Sequence, residues 1–365
     1  MRNSCIIKSS HFISSNNNCP DSPVHDQTLI DYKCDCGSGT HSFKHCSWDN
    51  SPRSSNGGAI HYVLTAQTKQ TSASLTVENC VFLHCHETGT IAGGAIYTNY
   101  IGSASISDSY FYDCECGSST DGPDGAGVLL NHLHTLPLIK SCSFVSCVSG
   151  DDGGGCGIWN CGSFLNYALD SCSFIKCKGT DIESAQGGAV IFYNNTGARA
   201  CTNCIFSNSE GYYGGALYLH CFSYLTSTPP ASFCFFNKNS VLTSGYGNDV
   251  GIENCLVSNA SVLFQHCVST SNPNRIGYSY ITWSWKNTDV NWLPHATINI
   301  TLAALESGIN TKCAPIFTSP LRTPVLLLLP ESLTQPIPST ASSVLVSLKE
   351  QDSLSLLLIL LSLSA

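Results

Sequence analysis

Charge, methionine and long apolar runs are what this chain has least of. Only 11% of its 365 residues are Asp, Glu, Lys or Arg, and it has a single methionine. Helical bundles and coiled coils, which draw on Glu, Lys and Ala, do not have this profile. Basic clusters are scarce too: no Lys/Arg run exceeds two residues, and a formal charge of −9 repels phosphate backbones. Nucleic acid is therefore not an expected partner. The opening residues Met1 to Phe12 contain no apolar stretch of the roughly seven residues that a signal-peptide core needs. Neither Val325 to Leu329 nor Leu354 to Leu363 reaches the roughly 18 to 20 apolar residues of a spanning helix.

What the chain does have is 30 glycines and 22 cysteines, 21 of the latter before residue 268. The cysteines divide a Cys-rich body, residues 1–285, from a tail, residues 286–365, that is rich in Pro, Leu and Ser. Within the body a motif Cys-x-Phe-x-x-Cys recurs in full at Cys80 to Cys85, Cys142 to Cys147 and Cys172 to Cys177. Partial copies lie at His41 to Cys46, Ser109 to Cys114, Cys204 to Ser209, Cys234 to Asn239 and Val262 to Cys267. A second motif interleaves with it: Gly57-Gly-Ala-Ile60, Gly93-Gly-Ala-Ile96, Gly125-Ala-Gly-Val128, Gly155-Cys-Gly-Ile158, Gly187-Gly-Ala-Val190 and Gly214-Gly-Ala-Leu217. Two alternating registers, a glycine turn and an aromatic strand in each unit, signal a solenoid.

Each unit holds short alternating segments such as Ser74 to Val77, and no helix-length periodicity. Val77 and Cys80 are an odd number of residues apart, so a straight strand cannot point both inward. The parity is restored by bends at polar pairs: Glu78-Asn79, Ser107-Asp108, Lys140-Ser141, Asp170-Ser171 and Thr202-Asn203. Asn, Asp and Ser suit such bends because they bond their own backbone and tolerate unusual φ. The expected architecture is an all-β parallel β-helix of about 8 to 9 coils, stacked about 4.8 Å apart. Its interior would carry a column of Phe82, Phe111, Phe144, Phe174, Phe206, Phe236 and Phe264.

The glycine motif alternating with Phe-x-x-Asn, as in Phe236 to Asn239, resembles the polymorphic outer membrane protein type of β-helix repeat, in the pectin-lyase-like superfold. Over about Ile60 to Cys267 this chain is similar to a Cys-rich version of it, of the kind that eukaryotic microbes carry. The resemblance implies a right-handed coil and a surface or secreted adhesion-type protein, with glycans or surface proteins as partners. The superfold also hosts polysaccharide lyases and hydrolases, the competing expectation. An intracellular scaffold is a third. No translocating β-barrel is recognisable after the repeats, unlike the bacterial autotransporters.

Candidate chemistry is sparse. Cysteines at matching places on neighbouring coils are spaced for disulfides, and equally fill small buried positions as free thiols. Cys34-Asp-Cys36 with His41, His45 and Cys46, and His84-Cys85-His86, imitate metal clusters without paired C-x-x-C spacing; Cys201-Thr-Asn-Cys204 is solitary. His132 and His134 read as exposed loop or strand positions. Asp151, Asp152 and Asn287-Thr-Asp289 imitate fragments of pectin hydrolases, without the basic partners. No catalytic, cofactor or metal residue is assigned on these grounds. Tyr97, Trp159 and Tyr218, following the glycine turns, are expected to face outward, where they pack along the sheet or form a stacking platform. Asn194, Asn259 and Asn299 open N-glycosylation sequons, which matter only on the secretory path. In the tail, Ser342 and Ser343 lie among small residues followed by a spacer and an apolar run, the spacing of a lipid-anchor attachment region. This would attach the chain to a membrane. Trp283, Trp285 and Trp292 are expected to cover the last coil.

Overall fold

In the computed structural model, residues 34–279 are described apart from short interruptions, together with the strands His11–Phe12, Val24–His25, Thr28–Ile30 and Asn291–Trp292. Among these residues every element is a strand and every strand pairing is parallel, so the body is a parallel β-solenoid. It belongs to a compact unit spanning Ser9–Trp292. Trp283, Trp285 and the tail fall outside the described residues, apart from Asn291–Trp292, which pairs with Phe264–Ser269.

Among the described residues, seventeen non-glycine residues have positive φ, and their positions define the cross-section. They fall into three columns, one per corner of the coil. The first contains Asn79, Asp108, Ser141, Ser171 and Asn203, with φ of 49° to 56°. These are the second members of the polar pairs that parity required. The second corner follows each Phe strand, at His84, Asp113, Ser146, Lys176, Asn208 and Lys238; the third follows the glycine-motif strand, at Tyr100, His132, Asn160 and Asn194. One residue in the left-handed region turns the chain without breaking the inward pattern, because it reverses the alternation once.

Between corners run the sheets. Sheet 1 has nine strands, from Cys34–Cys36 through Ile96–Asn99 and Cys156–Trp159 to Ile276–Ser279. Sheet 2 contains Gln70–Glu78, Ile101–Ser107 and their successors, and sheet 3 contains the Phe strands Val81–Leu83, Tyr110–Tyr112, Ser143–Val145 and onward; Phe264–Ser269 joins the two. Six short strands, His86–Glu87 to Ser240–Tyr246, form sheet 4 and bound about five full turns. That is fewer than the eight or nine coils expected, because the described strands at either end form only parts of coils.

The interior is columnar. Phe82, Phe111, Phe144, Phe174, Phe206 and Phe236 stack with centroids 4.6 to 5.2 Å apart and rings within 8° of parallel. Two of the expected assignments shift. Trp48 pairs with Phe82 and stacks on it at 4.7 Å, so the column begins with Trp48, while Phe43 pairs with Val77 in sheet 2. Phe264 likewise pairs with Ala231 in sheet 2, and Ser269 stands above Phe236. In both cases Phe-x-x-Cys matches the second half of the motif, but the cysteine belongs to its first half: Cys46 precedes Trp48 by two residues and Cys267 precedes Ser269 by two.

The glycine motif also slips once. Ile96 pairs with Val128 and Val128 with Cys156, so Gly153-Gly-Gly-Cys156 is the repeat, not Gly155-Cys-Gly-Ile158. Its third position lies against the aromatic column: a Cβ on Gly155 would come within 2.7 Å of the Phe174 ring, and one on Gly127 within 2.6 Å of Phe144.

Candidate functional site

Sheet 1 turns alternate residues inward, Ile96, Val128, Cys156, Val190, Leu217 and Val250, all fully buried. Its outer face therefore carries two rows. The first is Tyr97, Leu129, Gly157, Ile191, Tyr218 and Gly251; the second, two residues on, is Asn99, Asn131, Trp159, Tyr193, His220 and Glu253. Tyr97 and Tyr218 thus share a row, and Trp159 belongs to the other; the slipped glycine motif had put the three together.

The first row faces outward and is nevertheless buried, with Tyr97 2% and Tyr218 0% exposed. The turn glycines lie over it. A Cβ on Gly153 would meet Ile191 Cγ2 at 2.8 Å, and one on Gly187, whose φ is +67°, would meet Tyr218 Cβ at 3.1 Å. The Tyr218 ring in turn lies over Gly251, where a Cβ would come within 2.7 Å of Cδ2, and its hydroxyl donates to Glu253. Burial pushes the Tyr97 hydroxyl up to about 12, against hydrogen bonds with Asn99 and Asn131. Packing within the sheet, not a platform, is the role of Tyr97 and Tyr218.

The second row is half-buried along Trp159, Tyr193, His220 and Glu253. Trp159 stacks on Tyr193 at 4.1 Å and 19°, and Tyr193 meets His220 at 4.4 Å, tilted by 43°. Burial holds the His220 imidazole below its ordinary value, although the Glu253 carboxylate opposes this. At the other end of the stack, Asn131 is the register partner of Trp159. Asn131 Oδ1 and Trp159 Nε1 are both buried without a hydrogen-bond partner. Neither atom has accessible surface, so the pair is sealed within the row. Tyr193, His220 and Glu253 were not singled out from the sequence; their only signal is the position three residues after each inward aliphatic, visible once the register is right.

The other candidates are dispersed. Cys85 points into the core, whereas His84 Nδ1 lies 3.0 Å from Asp49 Oδ1 and His86 Nδ1 2.9 Å from Glu115 Oε2, on neighbouring coils. Cys46 is buried, and His41 packs edge-on against Tyr62. No group of three or more potential metal ligands comes together among the described residues. Cys201 and Cys204 both face inward, with Cys201 Sγ 3.6 Å from Cys234 Sγ. His132 stacks on Tyr100 at a corner, and His134 is exposed. Asp152 is 4% exposed and accepts the Gln186 N–H at 2.8 Å, tying its loop to the next coil. The Asp151 N–H donates to Ser149 Oγ at 3.1 Å. Both aspartates take part in loop geometry. Asn194 is an exposed third-corner residue whose Nδ2 donates to Asn160 Oδ1 at 2.7 Å. Asn259, Asn299, Ser342, Ser343 and Asn287 to Asp289 lie outside the described residues. Compared with family models, with curated proteins and with solved structures, the chain finds no match in any of the three.

Proposed function

We propose that this chain is a non-enzymatic, adhesion-type β-helix module, right-handed and of the polymorphic outer membrane protein type, that sits at a cell surface or is secreted. It binds glycan along the outer face of sheet 1. The observation that carries this reading is the half-buried Trp159–Tyr193–His220 stack on that face, with Glu253 on the next rung. A sugar offers hydroxyls to a carboxylate such as that of Glu253 and C–H groups to the outer edges of the aromatic row. Trp159 and Tyr193 are spaced by the coil repeat, so an extended chain can lie across several rungs.

The test is binding of the full chain to a panel of neutral and acidic glycans. Trp159→Ala should abolish binding while far-ultraviolet circular dichroism shows the chain still folded, at a somewhat lower Tm because the stack on Tyr193 is lost, and Trp159→Phe, which keeps a ring, should retain part of the binding. Absence of binding to every glycan by the unmodified chain, or wild-type affinity in Trp159→Ala, would refute the assignment. The same panel, assayed for chain cleavage, covers the lyase or hydrolase alternative, in which Asp151→Asn and Asp152→Asn would abolish turnover. A second reading, an intracellular scaffold, is favoured by buried corner cysteines such as Cys114, Cys147 and Cys177, which are thiols.

A further inference from the structure

Among the described residues, eleven buried thiols stand at corners, each directly after a residue of positive φ. The first corner carries Cys46, Cys80, Cys142, Cys172, Cys204 and Cys234, with Ser109 interrupting the series and Cys267 extending it. At the second corner stand Cys85, Cys114, Cys147 and Cys177, followed by Ser209 and Asn239. All are buried to within a few per cent. Corners narrow the interior, which explains a small side chain; alanine would be small enough. Why cysteine stands there is answered by the hydrogen bonds.

Asn239 shows the task most clearly. Its Oδ1 accepts the Ser209 N–H of the preceding coil at 3.0 Å, while its Nδ2 donates to the Phe206 carbonyl at 3.2 Å. One side chain thus serves a backbone donor and a backbone acceptor at the bend. Ser109 serves the same N–H at the first corner: its Oγ accepts from Cys80 N at 3.1 Å. The cysteines repeat the arrangement with sulfur. Cys114 Sγ reaches the Phe82 carbonyl at 3.8 Å, Cys147 the Phe111 carbonyl at 3.8 Å and Cys177 the Phe144 carbonyl at 3.6 Å. The backbone N–H of Cys114 points at Cys147 sulfur, and that of Cys147 at Cys177 sulfur. Eleven corner thiols also reach the carbonyl two residues before them, at 3.2 to 3.9 Å. S–H is a weak donor, but here it is repeated on every rung in a dry interior.

We propose that the cysteine columns are free thiols that brace the corners in place of asparagine, making the solenoid a redox-sensitive element whose folded form is the reduced one; this inference rests on the intracellular reading, since a chain folding on the secretory path meets oxidants. A disulfide between successive rungs is permitted by spacing, since coils about 4.8 Å apart fall within the Cα range of disulfides. It removes both S–H donors, and with them the bonds to carbonyls such as those of Phe82 and Phe111, while the carbonyls two residues before the cysteines keep their backbone N–H partners. The oxidant would be a small-molecule disulfide. Its S–S bond breaks by two successive thiol exchanges, one intercoil S–S bond forms, and the two protein protons leave on two released small thiols. The folded stack admits no such reagent, so exchange requires opened coils, and the product does not reclose. Cys36 is disulfide-bonded, but it lies in sheet 1 and not at a corner.

Two experiments on the full chain test this without reference to glycan binding. In the first, cysteines are alkylated before and after denaturation and mapped by mass spectrometry, on protein refolded with reduced glutathione or with glutathione disulfide. The expected result is corner cysteines that are unreactive in the folded protein, alkylated as thiols after denaturation, and unable to refold once oxidised. Folded protein with Cys114–Cys147 or Cys147–Cys177 disulfides and an equal or higher Tm would overturn the proposal. In the second, Cys147 is replaced by Asn, Ser or Val. Asn and Ser keep a donor and should hold Tm near wild type, whereas Val should lower it by about 2 to 8 °C. A Val variant as stable as the Ser variant would refute the donor role.

Discussion

Replacing Phe144 by alanine is the most direct probe of the solenoid interior. The ring is fully buried between Phe111, at 4.6 Å and 3°, and Phe174, at 4.8 Å and 5°. It also lies against the bare backbone of Gly127. Truncation therefore removes two stacked contacts, each worth about 0.5 to 1.5 kcal/mol beyond area burial, and opens a cavity whose walls are strands fixed by ladder bonds on both sides. Phe to Ala changes at buried sites cost about 3 to 5 kcal/mol, and poor relaxation here places Phe144→Ala in the upper part of that range. Phe144→Leu, which refills most of the volume, should cost about half as much. The assay is urea unfolding followed by far-ultraviolet circular dichroism and by tryptophan fluorescence, because coils of a solenoid can unfold separately and one probe would miss it. A loss below about 1 kcal/mol for Phe144→Ala would mean that the column does not hold the coils together.

Three further outcomes are expected. Phe233, 58% exposed, has φ of 53° at a corner that elsewhere takes Asn, Asp, Ser or His; Phe233→Asn should stabilise the fold by about 0.5 to 1 kcal/mol in the same unfolding assay, and a loss would show that the ring has a packing role. His220 is held below the ordinary imidazole value of 6.5 by burial, so the unfolded chain takes up its proton first. Its contribution is fully present above pH 6.5 and is lost as pH falls below it; Tm measured from pH 8 to 5 should decline less steeply in His220→Gln, and parallel profiles would exclude the effect. Asp152→Ala leaves the Gln186 N–H without its acceptor and should cost about 1 to 3 kcal/mol, whereas Asp152→Asn, which keeps an acceptor oxygen, should cost less; equal losses would argue against this bond.

The sequence is most informative where a column is carried by one residue type. Parity between Val77 and Cys80 demanded a bend, and Asn79 makes it with φ of 52°. The same parity holds between Phe82 and Cys85, yet the corner at His84 is hidden because its column mixes His, Asp, Ser, Lys and Asn. Such a corner asks only that the backbone adopt one conformation, which several side chains tolerate at modest cost. Registration failed where a substitution preserved shape but not letter. Trp48 replaces Phe in the aromatic column, and Cys156 replaces the aliphatic of the glycine motif. That second slip of two residues kept every side chain on its correct face while moving Trp159 into the wrong row, so the stack with Tyr193 and His220 was not legible. Burial of Tyr97 and Tyr218 was hidden for another reason: alternation tells which side of a sheet a residue faces, not what the next turn lays over it.

The in-register pairing of successive Phe strands makes length a separable property of this molecule. Phe111 pairs with Phe144 and Tyr112 with Val145, so excising residues 112–144 would join Phe111 directly to Val145 and leave each column one rung shorter, with no rung out of phase. Duplicating the same stretch would add a rung. Each such event changes the rod by about 4.8 Å and leaves its end surfaces as they were. Gene-level gain or loss of a coil is thus a small step for the fold; duplication lengthens the reach and keeps the outer rows whole, whereas the excision takes Asn131 with it.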